Sequence, residues 1–180
     1  NKMAICVKIK DMKKINWLTI LIILLIGIFL IYSKTNHLPP VKEDNKRKVL
    51  LYYYNPSLDT DESNNILCSE KGLVVIEREI PFTKTPIKDT LNLLLKGKEN
   101  LTPEDLSEGI TTEFPLEGFS LKELNLQPNG TLILKFEDPL NKTSGGSCRT
   151  RILWLQIEKT AKQFEEVKKV EFLPEELFQP

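Results

Sequence analysis

The stretch Leu91-Asn92-Leu93-Leu94-Leu95-Lys96-Gly97 most limits what this chain can become. Ahead of it Thr85 is a natural N-cap, Pro86 suits the first helical position, and Asp89 sits at the positive end of the dipole. Ile87, Leu91, Leu94 and Leu95 recur at helical spacing and make one apolar stripe. Gly97 can adopt the left-handed conformation that stops a helix. A short helix with one apolar face is marginal in water. Strands must cover it.

The flanking sequence supplies them. Val49-Leu50-Leu51-Tyr52-Tyr53-Tyr54 is β-branched and aromatic and ends at Asn55-Pro56, which reads as a strand. Residues 73–80 form a second strand, stopped by Pro81, with both faces buried where alternation fails over residues 73–76. Between them residues 59–65 (DTDESNN) are a solvated loop. Its acids resemble a calcium loop only superficially, without the central Gly and the distal Glu. Thr102-Pro103-Glu104-Asp105-Leu106 repeats the cap, proline and acid logic for one extra turn, and residues 110–114 are extended.

Residues 121–126 and 131–136 flank Pro128-Asn129-Gly130, where Asn-Gly supplies the positive φ angles of a hairpin. Leu132, Leu134 and Phe136 then share one strand face, opposite Ile133 and Lys135. Residues 147–167 form a long amphipathic helix with Leu153, Ile157, Ala161, Phe164 and Val167 inward. Val170-Glu171-Phe172 is a last short strand. The order β-β-α-β-β-α-β predicts an α+β fold, a mixed β-sheet with two helices packed on one face.

One transmembrane helix precedes this fold. Residues 17–32 (WLTILIILLIGIFLIY) hold no charge and cover about 24 Å as a helix. Ile15 extends the run, and Trp17 and Tyr32 suit the two interfaces. Lysines stand before it, so residues 1–14 are a cytoplasmic n-region and residues 15–32 a membrane anchor or uncleaved signal. A cleaved signal peptide is the alternative, although residues 32–35 offer no Ala-x-Ala site. Residues 33–48, with Pro39-Pro40, read as a flexible linker, and residues 49–180 as the extracytoplasmic domain.

Charge and composition exclude several function classes. Formal charge is balanced overall, but five of the 25 Lys/Arg and one of the 25 Asp/Glu precede residue 15, so the remainder is mildly acidic. Nothing clusters Lys/Arg as a nucleic-acid face requires. One histidine, His37, leaves no imidazole for a catalytic dyad or a histidine-rich metal site. No catalytic residue, metal ligand or cofactor is assigned.

Of the three cysteines, Cys68 and Cys148 fall in the exported part and Cys6 in the cytoplasmic part, so compartment pairs Cys68 with Cys148. Two unpaired buried thiols are the plain alternative. A reactive Cys148 at a helix start is the sharper one, with no histidine as its base.

The order of these elements resembles the GerMN family of sporulation and spore-germination domains. The matching residues are Val49-Leu50-Leu51-Tyr52-Tyr53, Val75-Ile76-Glu77-Arg78-Glu79-Ile80-Pro81 and the Leu91–Gly97 stretch. Next come Thr112-Glu113-Phe114-Pro115, Asn129-Gly130-Thr131-Leu132, and Leu134-Lys135-Phe136 with Gly145-Gly146-Ser147-Cys148. Leu155-Gln156-Ile157-Glu158-Lys159-Thr160, with Phe164, Val167 and Val170, completes the match. The Cys68 and Cys148 pair resembles a cysteine-bearing branch of the family. Lys98 stands where relatives often carry proline, and residues 171–176 lack their usual terminal valine-x-glycine turn. The resemblance implies an extracytoplasmic, non-enzymatic interaction or assembly module of the cell envelope, with an envelope protein or a second copy as partner.

The local candidate for binding is Ser144-Gly145-Gly146-Ser147 with Arg149 and Arg151. There a Gly-Gly loop feeds a helix start, and two guanidinium groups could meet a phosphate or carboxylate, for example on a cell-wall polymer. An ordinary helix start is the plain alternative, since the Lys-Ser/Thr ending of a P-loop is missing. Tyr52, Tyr53, Tyr54 and Trp154 could form a carbohydrate platform, although alternation and helix position place most of them in the core. An envelope enzyme acting on wall polymers through paired carboxylates is the second function class.

Overall fold

A computed structural model describes residues 21–22, 24–28 and 45–179. The chain divides into two compact units, Asn1–Glu43 and Asp44–Pro180. In the first, residues 21–22 and 24–28 are helical. The expected n-region and most of the expected membrane segment and linker lie outside the described residues. Among the described residues no helix is long and apolar enough to cross a membrane.

In the second unit β1 (Lys46–Tyr54) and β2 (Leu73–Pro81) pair antiparallel along their whole length. The strand begins at Lys46, so residues 46–48, expected in the linker, belong to the fold. Their alternation is polar because one face meets water. Lys46 pairs with Glu79 at 3.1 Å and Lys48 with Glu77 at 2.7 Å across the strands. On the opposite face Val49, Leu51 and Tyr53 are buried.

Two helices follow, α1 (Pro86–Leu95) and the single turn α2 (Pro103–Ser107). Ile87, Leu91 and Leu94 are buried as the stripe requires. Thr85 makes no side-chain cap to the helix backbone; its hydroxyl instead donates to the Asp89 carboxylate at 3.2 Å. Gly97 has φ +54° and lies so close to residue 114 that a Cβ there would stand 1.9 Å from the Phe114 carbonyl oxygen. The Lys98 N–H donates to that same oxygen at 3.0 Å. The capping box of α2 forms, with Thr102 and Asp105 exchanging bonds, and Asp105 also receives Arg78 at 2.9 Å.

Strands β3 (Ser120–Leu126) and β4 (Thr131–Glu137) form the antiparallel hairpin, with a register shift between Leu121 and Glu123. Helix α3 (Ser147–Lys162) leads to β5 (Lys169–Leu173), which lies parallel to β4. The element order is as expected, including the single turn α2. The sheet is not. β1-β2 and β3-β4-β5 are separate sheets, and the helices do not simply cover one face of one mixed sheet.

Hydrogen bonding supplies the reason. The free edge of β1 is occupied by side chains of, and just after, α3. The Leu50 N–H donates to Gln163 Oε1 at 2.8 Å, Gln163 Nε2 donates to the Leu50 carbonyl at 2.7 Å, and the Tyr52 N–H donates to Thr160 Oγ1 at 3.1 Å. Tyr54 exchanges both backbone bonds with Thr111. With those groups satisfied, β1 can accept no further strand. α1 and α3 pack on each other and on β1, while α1 also reaches β2 and β3, and α3 reaches β5. One apolar cluster joins them, from Leu51 and Ile76 through Leu91 and Leu94 to Leu134, Ile157 and Val170.

α3 ends at Lys162 rather than near residue 167, the chain tightening there into a turn in which the Phe164 N–H donates to the Ala161 carbonyl at 3.3 Å. Phe164 and Val167 stay buried through turns, with the Val167 N–H on the Phe164 carbonyl at 2.8 Å. Replacing Gln163 with alanine leaves the Leu50 N–H and C=O without partners. Unfolding in urea is expected to show a loss of about 1–3 kcal/mol.

Candidate functional site

Cys68 and Cys148 are joined by a disulfide with Cα atoms 5.2 Å apart, tying the β1–β2 connection to the first turn of α3. The connection itself is built on Asp59, expected in a solvated loop but buried. Its buried carboxylate accepts from the Tyr54 hydroxyl at 2.7 Å and from the Ser69 N–H and Oγ, both at 2.5 Å. Burial alone would raise the Asp59 carboxyl, but the bonds from Ser69 and Tyr54 outweigh it and hold the group below its ordinary value. Tyr54 is pushed well up, by burial and then by its bond to Asp59. In the same loop, Asp61 accepts from the Ser63 and Asn65 N–H groups at 2.8 Å each. Among the described residues no group of three or more His, Cys, Asp or Glu could hold a metal.

The loop into α3 is fixed by Asp138, which accepts from the Lys142 N–H at 2.7 Å and from the Thr143 N–H and hydroxyl at 2.8 and 2.7 Å. Burial opposes the Asp138 charge, yet these bonds lower its pKa, as Thr102 and Arg78 lower that of Asp105. A carboxyl depressed in the fold gives stability that is complete above its unfolded value and is lost as pH falls through the folded one. Starting from an ordinary value of 3.8 for Asp59, Asp105 and Asp138, unfolding free energy is expected to hold down to about pH 4 and to fall below it. Tyr53 and Tyr54 are both raised from 10.0, burial being the first cause, so stability is also expected to fall as pH rises beyond about 10. Urea titrations across pH check both limbs.

The six expected anion ligands do not converge. Arg149 is spent inside the protein: its Nε meets Glu113 at 2.7 Å, Nη1 the Ser144 carbonyl at 2.6 Å and Nη2 the Lys142 carbonyl at 2.9 Å. The Ser144 hydroxyl donates to the Asn141 carbonyl at 2.9 Å. Gly145 has φ +149° and closes the loop against the Arg149 side chain, while Gly146 precedes the helix without a side-chain cap. Residues two apart on a helix face opposite sides, so Arg151 cannot join Arg149. Ser147 and Arg151 instead share a face with Trp154, at four- and three-residue spacing.

That face forms one wall of a groove of about 490 Å³. The other wall is β5 with the chain end, where Leu177 and Phe178 are buried. The Trp154 and Phe172 ring centroids are 6.2 Å apart, and Phe178 meets Phe172 edge-on at 5.2 Å. Tyr53 and Tyr54 are core, so of the expected aromatic platform only Trp154 reaches this groove. The apolar pair Leu177-Phe178 after the Pro174 turn was the available signal for the closing wall.

Fold and groove together define a small disulfide-closed α+β domain of two sheets bridged by helices. The family model described as "Germane: Sporulation and spore germination" matches residues 50–176, and the chain belongs to this family. Among solved structures, the tandem GerMN domains of the sporulation protein GerM from Bacillus subtilis are similar at 18% identity and a TM-score of 0.49. That match covers 77% of this chain and 43% of the other. The first GerMN domain of the same protein is similar at 16% identity and a TM-score of 0.44, covering 69% of this chain and 80% of the other. No curated protein matches the chain.

Proposed function

We propose that this chain is an interaction or assembly module of the cell envelope, carried outside the membrane by an anchor at residues 15–32 and working without catalysis. The observation that carries the reading is the family match over residues 50–176, a family described by sporulation and spore germination. The Cys68–Cys148 bond supports an oxidising compartment, and it fits a cysteine-bearing branch of the family. Its partner is an envelope protein or a second copy of the chain, and nucleic acid is not among its ligands.

Topology is tested with alkaline phosphatase, which needs its own disulfides and so is active only outside the cytoplasm. A fusion after residue 180 is expected to be active and one after residue 14 inactive; the reverse sinks the location. The wall-enzyme reading is tested by incubating the full chain with purified wall polymer. Release of soluble fragments that one carboxylate substitution abolishes would replace the binding module with a hydrolase. The interaction itself is tested with photo-crosslinkers placed singly at positions 58, 79, 151 and 173. Discrete adducts from one face are expected, and their absence from every position counts against an interaction module.

A further inference from the structure

We infer that the groove between α3 and β5 takes an extended peptide, which adds as a strand to the open edge of β5 with an apolar side chain on the Trp154–Phe172 floor and an acidic group on Arg151. This deepens the interaction-module reading and rests on it.

The two sheets present four edges, and three are defended. The edge of β1 is filled by Gln163, Thr160 and Thr111. The outer edge of β2 carries Glu77 and Glu79, held beside it by Lys48 and Lys46. β3 is bulged near Lys122, whose carbonyl receives Lys88 Nζ at 3.5 Å. Charges and bulges of this kind stop an edge from recruiting another strand.

β5 differs. The Lys169 N–H donates to the Gly130 carbonyl at 3.2 Å, and Thr131 is the register partner of Lys169. In a parallel ladder this alternation turns the N–H and C=O of Val170 and Phe172 away from β4. No hydrogen bond from a described residue reaches those groups. The strand's charges, Lys169 and Glu171, pair with each other at 2.7 Å on the face opposite Val170 and Phe172. An unguarded edge therefore runs beside an aromatic groove.

Charge selects the occupant. Arg151 is exposed and makes no ion pair or hydrogen bond with a described residue, whereas Arg149 two positions earlier is fully engaged. A guanidinium left free on the α3 wall complements a carboxylate there, while on the opposite wall Glu171 is paired with Lys169, and Glu175 turns acidic groups away from the β5 side. A sugar fits less well, because Trp154 and Phe178 meet Phe172 at 56° and 75°, so the rings do not line up as one flat platform. The five residues of β5 match a peptide of about five or six residues at roughly 3.4 Å each.

The probe is a pool of fluorescent hexapeptides that alternate an apolar residue with threonine and end in aspartate, titrated against the full chain. Saturable binding is expected, with shifted and exchange-protected amides at Val170 and Phe172. Arg151→Glu should weaken it about tenfold, the equivalent of one charge-assisted bond. The same loss is expected on changing the peptide's aspartate to asparagine, whereas in the variant that change should recover part of the binding, because it removes the repulsion between two carboxylates. Methylating alternate peptide nitrogens should abolish binding. No saturable binding, indifference to methylation, or indifference to Arg151→Glu would each overturn the proposal. So would an N-acetylglucosamine tetramer shifting the Val170 and Phe172 amides in place of the peptides, or self-association alone protecting them. Photo-crosslinks from positions other than 151 and 173 that persist after such a result leave the module reading standing and remove only this groove.

Discussion

Gly97→Ala is expected to lower the unfolding free energy by about 2–5 kcal/mol, combining the left-handed conformation with overpacking. Two independent costs meet at this residue. Its φ of +54° disfavours any Cβ, and that Cβ would lie 1.9 Å from the Phe114 carbonyl oxygen and 2.1 Å from its carbon. Those atoms are backbone and cannot swing aside. Moving them pulls the Lys98 N–H off the same oxygen, disturbs the Tyr53 hydroxyl on the Gly97 carbonyl at 3.4 Å, and shifts the buried Phe114 ring. Since a domain of this size has about 5–15 kcal/mol in total, the variant is expected to unfold at a much lower urea midpoint with the slope unchanged. A midpoint within the error of the parent would mean that residues 97 and 114 do not approach as described.

Removing the disulfide by Cys68→Ser with Cys148→Ser is the second large effect. The bond spans 80 residues of chain. Loop entropy then gives a loss of roughly 4.5 kcal/mol as an upper figure, reduced by any structure left in the unfolded chain. The loss is expected to be local as well as global. Cys68 anchors a connection whose other ties include the Asp59 cage, the bond from the Leu67 N–H to the Asp59 carbonyl at 2.8 Å, and the ion pair of Glu70 with Lys159 of α3 at 2.6 Å. Hydrogen exchange of residues 60–69 should accelerate in the double variant even in conditions where β1 and α3 remain protected. Equal protection of that connection with and without the bond would show that the remaining ties hold it unaided.

Much of the scaffold was legible because it follows from periodicity. The stripes Ile87, Leu91, Leu94 and Leu153, Ile157, Ala161 are buried, as is the strand face Leu132, Leu134, Phe136. Helix and strand periods are local properties of the chain, so the face to be buried is set before its partner is. The pairing of Cys68 with Cys148 was legible from compartment rather than geometry. Asp59 was not legible, since a carboxylate in a polar loop looks solvated until the tyrosine five residues before it folds over it. The parting of the two arginines was hidden for a related reason. Arg149 and Arg151 read alike in sequence, but helical rotation sends one into the loop carbonyls and leaves the other on the groove.

The sequence by itself determined the elements and their order, because propensity, caps and turn residues act over a few positions. It also determined the glycine at residue 97, whose helix-stopping role needs only its own φ. Tertiary structure decided how the strands share out between two sheets. That outcome depends on side chains 108 and 113 positions away from β1, Thr160 and Gln163, which close an edge another strand would otherwise take. It likewise decided that the edge of β5 stays open beside Trp154. Which backbone groups remain unpaired is a property of the assembled fold, settled by hydrogen-bond competition between segments far apart in the chain.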